Sequence, residues 1–179
     1  MLEDDGYWDP TPLVPDSTGA EYLQGYRLPS PDKYLRGRWE DRNWLNVPGP
    51  FYGANTDTCA TGPTVAPHNI LLDDDYQEFV FRQPRNERET LLVLGAAYSD
   101  PLSGYASDGD QHWTVDTVRA WWRERARVSE WIVRSGDTDG TYSEYSRFLD
   151  EGLEGYLRGY LFWLEERRAP DPRDNLPDL

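Results

Sequence analysis

The chain has 179 residues, and 33 acidic side chains against 18 basic ones leave a formal net charge of −15 at neutral pH. Eight Trp and twelve Tyr accompany that charge. A disordered acidic segment lacks such rings, because a chain with too little apolar area to bury stays unfolded. A compact anionic surface repels nucleic acid and anionic membranes and attracts cationic partners, so protein binding is the expected work, with neither nucleic acid nor membrane as a partner.

Cys59 is the single cysteine. It excludes an intramolecular disulfide, four-cysteine iron–sulfur ligation and a zinc ribbon. No glycine-rich loop leads into Lys-Ser/Thr and no dinucleotide fingerprint occurs, so no cofactor is expected. The opening Met-Leu-Glu-Asp-Asp is the reverse of a secretory signal. The apolar stretches at 91–94 and 161–164 are too short to span a bilayer. A cytoplasmic location is the expectation.

Taken in chain order, residues 1–69 read as a long irregular region. Prolines from Pro10 to Pro67 forbid helix interiors and central strands, while Tyr7, Trp8, Tyr22, Tyr26, Tyr34, Trp39, Trp44, Phe51 and Tyr52 offer rings to pin it to a core. Short helical turns are predicted near 21–26 and 32–41. Residues 70–85 read as strands: Ile70, Leu71 and Leu72, then an alternating run at 77–83 with Phe79 and Phe81 on one face and Glu78 and Val80 on the other. Asp73, Asp74 and Asp75 between them read as a hairpin turn.

Three helices are predicted over 86–168. Asn86 and Glu89 form a capping-box-like start to the first, which Pro101 closes. Thr114 caps the second, over 115–134, with Val118, Trp121, Trp122, Val128, Trp131 and Ile132 as its apolar stripe. The third spans 142–168, with Tyr145, Leu149, Leu153, Tyr156, Tyr160 and Trp163 recurring at three and four. Residues 169–179 read as a tail. The expected fold is a single α+β, helix-rich domain in which a short antiparallel hairpin and the aromatic-pinned N-terminal region pack on three C-terminal helices. A Tyr-Leu-x-Gly pattern at Tyr22, Tyr34 and Tyr156 is irregularly spaced, which favours turn anchoring over a repeat architecture.

Asp108, Asp110 and His112 stand within five residues ahead of a helix start, followed by Trp113. Two carboxylates and an imidazole can hold an acid–base pair or a hard cation, although no EF-hand register follows and His112 alone supplies too few nitrogens for zinc. The simpler reading is a turn bent at Asp108 and Gly109, with His112 and Trp113 packed. His68 reads as a loop or core histidine. Cys59 reads as a small buried hydrophobe rather than a nucleophile, since no base, orienter or oxyanion donors mark a protease signature.

The segments Asn46-Val-Pro-Gly-Pro-Phe-Tyr-Gly53, Glu78-Phe-Val-Phe-Arg-Gln-Pro-Arg85, Asp108-Gly-Asp-Gln-His-Trp113 and Tyr156-Leu-Arg-Gly-Tyr-Leu-Phe-Trp163 resemble those of small acidic actinobacterial proteins sometimes loosely labelled ferredoxins. The Arg-rich basic set, with Lys33 the only lysine, fits such a GC-rich source. The cysteine count refutes a ferredoxin activity. Proteins of this kind also look like immunity proteins of bacterial toxins. That resemblance implies a non-catalytic inhibitor of a cognate, cationic toxin, in line with the charge. The contacts expected are Asp73, Asp74, Asp75, Asp108 and Asp110, with Trp113 as aromatic anchor. The competing readings are a metal-assisted hydrolase using Asp108, Asp110 and His112, and a regulatory binding module. Oligomeric state is left open.

Overall fold

The computed structural model describes residues 7–179; the acidic opening stretch lies outside them. The described chain is α+β and helix-rich, as the patterning implied. Its contacts divide into two compact units, Asp9–His112 and Trp113–Leu179, the second also holding Tyr7 and Trp8. No Pro- or Gly-rich linker in the sequence marks the boundary at 112/113.

The unit Asp9–His112 holds three two-stranded antiparallel sheets, one long helix and one single-turn helix. β1 (Glu21–Leu23) pairs with β2 (Tyr26–Arg27), β3 (Tyr52–Gly53) with β6 (Tyr105–Ala106), and β4 (Ile70–Leu72) with β5 (Glu78–Val80). The first pair corrects the helical turn expected at 21–26. Gly25 at φ +81° supplies the left-handed residue of a two-residue turn, and the chain doubles back as a hairpin. At 32–41 the expected turn becomes two separate 3-10 turns, Pro31–Lys33 and Trp39–Asp41. The hairpin predicted across 70–83 forms, in the register Ile70↔Val80 and Leu72↔Glu78. Both faces of β5 are buried, Glu78 included, so its alternation does not separate core from solvent.

The first helix, α1 (Thr61–Val65), is a single turn that sequence periodicity did not reveal. The central helix, α2 (Glu87–Ser99), starts where predicted, and Asn86 accepts the backbone N–H of Glu89 at 2.9 Å. Glu89 does not complete the box; its carboxylate takes a fork from Arg85, with Nη2 at 2.6 Å. Helix α1 and strand β1 pack on α2. Tyr22 lies against Gly95, where a Cβ would meet the Tyr22 ring at 2.0 Å. With Leu28, Tyr34, Phe51, Ile70, Val80, Val93, Leu94 and Tyr105 it forms the core of this unit. The N-terminal region is thus pinned by its rings, here on α2.

In the unit Trp113–Leu179, both long helices of the sequence reading are broken. The second becomes α3 (Val115–Arg123) and α4 (Ala126–Arg134). The Arg125 guanidinium lies 3.6 Å from the Trp122 ring centroid and donates to the Trp122 carbonyl at 2.9 Å, taking an acceptor that a continuous helix would use. The third becomes α5 (Ser143–Glu151) and α6 (Leu153–Glu166), which meet at Gly152, a residue of poor helix propensity. Thr114 caps α3 as predicted, with Thr117 closing a reciprocal box. Tyr7 packs against Tyr156, Tyr160 and Trp163 of α6 at 6.0, 5.4 and 5.9 Å between ring centroids. Gly159 lets it approach, since a Cβ there would meet the Cβ of Tyr7 at 2.7 Å.

Residues 169–179 are not a loose tail. Arg168 grips both carboxylate oxygens of Asp174 at 2.6 and 2.8 Å, and Asp171 and Asp174 close a turn. Farther on, Arg119 and Arg158 hold the carbonyls of residues 176–178.

Candidate functional site

The candidate site is built on the segment 39–53 of the unit Asp9–His112. This segment has almost no regular structure, and two buried amides organise it. Asn46 donates to the carbonyls of Asn43 and Gly53 at 2.6 and 2.8 Å, and its Oδ1 accepts from the N–H groups of Gly53 and Val80 at 3.0 and 2.8 Å. Gln83 donates to the carbonyls of Val47 and Phe51 at 3.1 and 2.8 Å and accepts from the Phe51 N–H at 3.1 Å. These bonds fix where Trp39, Arg42, Trp44 and Tyr52 project.

The Asp108–His112 pair joins this segment. Its 3-10 turn, Gly109–Gln111, is held by the Gly109 N–H donating to the Pro50 carbonyl at 2.9 Å. Asp108 accepts the Tyr52 hydroxyl at 2.8 Å on one oxygen and faces His112 Nε2 at 3.2 Å with the other. Burial first, and then the Asp108 carboxylate, push the Tyr52 phenol well above its ordinary pKa, so it stays a donor. The His112 ring stacks on Trp39 at 4.7 Å and 10° between planes, and the Arg42 guanidinium lies 3.9 Å from the same ring's centroid. Trp39 thus holds both an imidazole and a cation against its indole. Tyr52 meets its edge at 5.4 Å.

This arrangement fixes the positions of Asp108 and His112. The groups around them are a phenol held as a donor, an indole, a guanidinium and, at the range of charge interaction, the exposed Glu40 carboxylate. Among the described residues no group of three or more His, Cys, Asp or Glu side chains is placed to hold a metal ion.

The second acidic cluster divides by residue. Asp73 is structural: Oδ1 accepts the N–H groups of Asp75 and Gln77, both at 2.9 Å, and Oδ2 takes Asn43 Nδ2 at 2.7 Å. Asp74 and Asp75 face solvent. Beside them Tyr76 is 60% exposed, held in the left-handed region at φ +60°. That conformation is uncommon for a bulky side chain. Because Asp73 is tied to Asn43, this turn lies beside the segment carrying Trp44, which is 42% exposed. Asp110 is half-buried on the 109–111 turn. Trp113, the expected aromatic anchor, is half-buried and belongs to the other unit. The aromatics beside the exposed acids are therefore Trp44 and Tyr76. Trp44, expected as a pinning ring, is exposed, and neither it nor Tyr76 is marked in the sequence, because side-chain exposure in an irregular segment leaves no periodic signal.

His68 lies exposed in the connection between α1 and β4. Cys59 is exposed, which corrects its reading as a buried hydrophobe. The Asp57 carboxylate, which also accepts the Cys59 N–H at 3.2 Å, raises its thiol pKa by hydrogen bond and by charge, so the thiolate is disfavoured.

A buried acidic cluster that the sequence did not signal lies nearby in chain topology. Glu78 accepts the Gly62 N–H at 2.7 Å and the Tyr105 hydroxyl, while its own N–H donates to Thr56 Oγ1 at 2.8 Å. Asp100 accepts the N–H groups of Asp57, Leu102 and Gly104 at 3.1, 3.0 and 2.6 Å. Comparison with family models, curated proteins and solved structures returns no match to this chain.

Proposed function

We propose that the chain is a non-catalytic, immunity-type inhibitor that binds a cationic face of a toxin protein in the cytoplasm. One observation carries this reading. The turn at 73–76 presents Asp74, Asp75 and an exposed Tyr76, and it is fastened through Asn43 to the segment bearing an exposed Trp44. Carboxylates at the rim accelerate encounter with a basic surface, and aromatic side chains beside them slow dissociation. The net charge of −15 extends that attraction over the molecule. Asp73 and Asp108 order the turn and the site, and the proposed contact set is the exposed side chains of this face, Trp44, Asp74, Asp75 and Tyr76. No helix among the described residues is long and apolar enough to cross a membrane.

The test is titration calorimetry and stopped-flow binding against the purified product of the adjacent gene, at low and high salt. Association is expected to slow at least tenfold in D74N/D75N at low salt and to converge with the unmodified chain at high salt. W44A is expected to weaken affinity by about 2 kcal/mol or more. Y76G separates function from folding. Glycine suits φ +60°, so stability should hold within about 1 kcal/mol while affinity falls at least tenfold. No binding at low salt, or unchanged affinity in all three variants, rejects the proposal.

A further inference from the structure

In the unit Asp9–His112 the connection between β3 and α1 is fastened at three points. Thr56 Oγ1 accepts the Glu78 N–H at 2.8 Å, the Asp57 N–H donates to Asp100 Oδ1 at 3.1 Å, and the Gly62 N–H donates to Glu78 Oε1 at 2.7 Å. The two outer fastenings both reach Glu78 of β5, one at its main chain and one at its carboxyl. Between them Thr58 and Cys59 face solvent, while the Asp57 side chain is buried and accepts the Cys59 N–H at 3.2 Å. Ala60 is held at φ +60°, a strained conformation for a residue with a Cβ. Residues 57–60 therefore span two anchored ends, with one main-chain bond holding the middle.

The Glu78 carboxyl packs against the end of this span, where a Cβ on Gly62 would collide with it and with the Tyr105 hydroxyl. Tyr105 faces the carboxyl from β6, Asp100 from the C-terminal end of α2, and Asp57 and Cys59 from the span itself. Tyr52 on β3 is turned to Asp108 instead. Burial and the negative charges of Asp57 and Asp100 favour the neutral carboxyl, and they outweigh the Tyr105 and Gly62 donors, which favour the charged one.

We propose that residues 57–60 form a pH-operated flap, closed while the Glu78 carboxyl is neutral and opened by its ionisation. A third negative charge arriving beside Asp57 and Asp100 must be relieved by moving a neighbour or by admitting water. β5 is fixed by its ladder to β4 and by Asn46 Oδ1 on the Val80 N–H. Asp100 is fixed by the N–H groups of Leu102 and Gly104. The flap is the cheaper motion. Lifting it costs the Asp57–Asp100 bond, carries the Asp57 carboxylate into solvent, frees Ala60 from its strained φ and hydrates Glu78. The anchors at both ends survive. The Thr56 bond involves no group that changes charge, and an ionised Glu78 holds the Gly62 N–H more strongly.

The test is amide hydrogen exchange of the full chain, read by NMR and corrected for the intrinsic dependence on hydroxide. Between about pH 5 and pH 8, protection at Asp57 is expected to fall by about tenfold or more. Gly62, bonded to the same Glu78 carboxyl, and Gly104, bonded to the same Asp100 side chain, should keep theirs. The carbon-13 shift of the Glu78 carboxyl, followed in parallel, should titrate with the same midpoint as the opening. Glu78→Gln should leave Asp57 protection flat with pH. Asp57→Asn keeps an acceptor for the Cys59 N–H but removes one of the repelling charges, so it should shrink the fall. The proposal is overturned if Asp57 protection does not fall in the unmodified chain, or falls equally in E78Q. Loss of protection at Gly62 and Gly104 together with Asp57 also overturns it, since that is unfolding of the unit rather than opening of a flap. Where E78Q does not fold, the unmodified chain still decides: an opening midpoint away from that of Glu78 rejects the flap. No cationic partner enters these measurements, so they stand or fall apart from the inhibitor assignment.

Discussion

Glu78 is where burial and charge conflict most directly. Its carboxyl is 1% exposed in β5, and burial is the largest influence on it, raising its pKa above the ordinary carboxylate value. The Tyr105 hydroxyl and the Gly62 N–H pull the other way, and the charges of Asp57 and Asp100 add to the rise. The sign follows from linkage. In the window between the unfolded pKa, 4.5, and the raised folded value, the folded state holds more protons than the unfolded one. The contribution of Glu78 to stability is therefore full below that window and is lost as pH rises through it. In Glu78→Gln this dependence disappears while an acceptor for Gly62 is kept. The melting temperature of E78Q relative to the unmodified chain should thus rise between pH 4.5 and pH 8, by a few degrees for each kcal/mol removed. A difference that is flat or falls over this range contradicts the assignment. Tyr105→Phe removes the hydroxyl and is expected to destabilise by about 1–3 kcal/mol, measured by urea unfolding.

At the scale of elements, the segment 43–53, regular only where β3 begins at Tyr52, shows how an irregular stretch is held in place. Asn46 uses both donors and its acceptor on four main-chain groups. Asn46→Asp keeps the shape and the acceptor but sets a carboxylate against the carbonyls of Asn43 and Gly53. It should destabilise by about 3 kcal/mol or more, as much as Asn46→Ala, in denaturant unfolding; a loss below about 1 kcal/mol would mean the amide is dispensable. Elements with a local cause were legible from sequence: the Asn86 and Thr114 caps and the 70–80 hairpin follow from short-range hydrogen bonding and alternation. The helix breaks were not. Arg125 ends α3 by stacking on Trp122 and taking its carbonyl, although neither residue is a helix breaker by propensity. The hairpin at Tyr22 escaped because three-residue strands show too few positions for a period. Of the site, Asp108 and His112 were visible as a cluster, and Asp74 and Asp75 as a turn. Their neighbours Asn43, Tyr52 and Trp39 come from 30, 56 and 73 residues away and carry no motif.

At the scale of the molecule, surplus negative charge opposes compaction as well as steering partners. A formal charge of −15 on 179 residues carries self-repulsion that salt screens. The melting temperature should rise between 20 mM and 500 mM sodium chloride while partner association slows over the same range. A melting temperature that falls with salt would mean that attractive surface pairs such as Arg168–Asp174 outweigh the repulsion. The two effects have one origin: like charges spaced over a surface repel one another and draw in a cation-rich face.

Composition and local pattern alone determined that the chain folds around aromatic rings, that it is α+β and helix-rich, that two helices start at Asn86 and Thr114, and that its field is strongly negative. Each of these depends on residue content or on neighbours within a few positions. Tertiary structure alone decided the division at 112/113, the breaks in both long helices, the engagement of Asp73 and Asp108, the exposure of Trp44 and Tyr76, and the clamping of residues 176–178. Those outcomes turn on which distant carbonyl, ring or carboxylate arrives beside a side chain, and an irregular chain has no periodicity from which that arrival can be read.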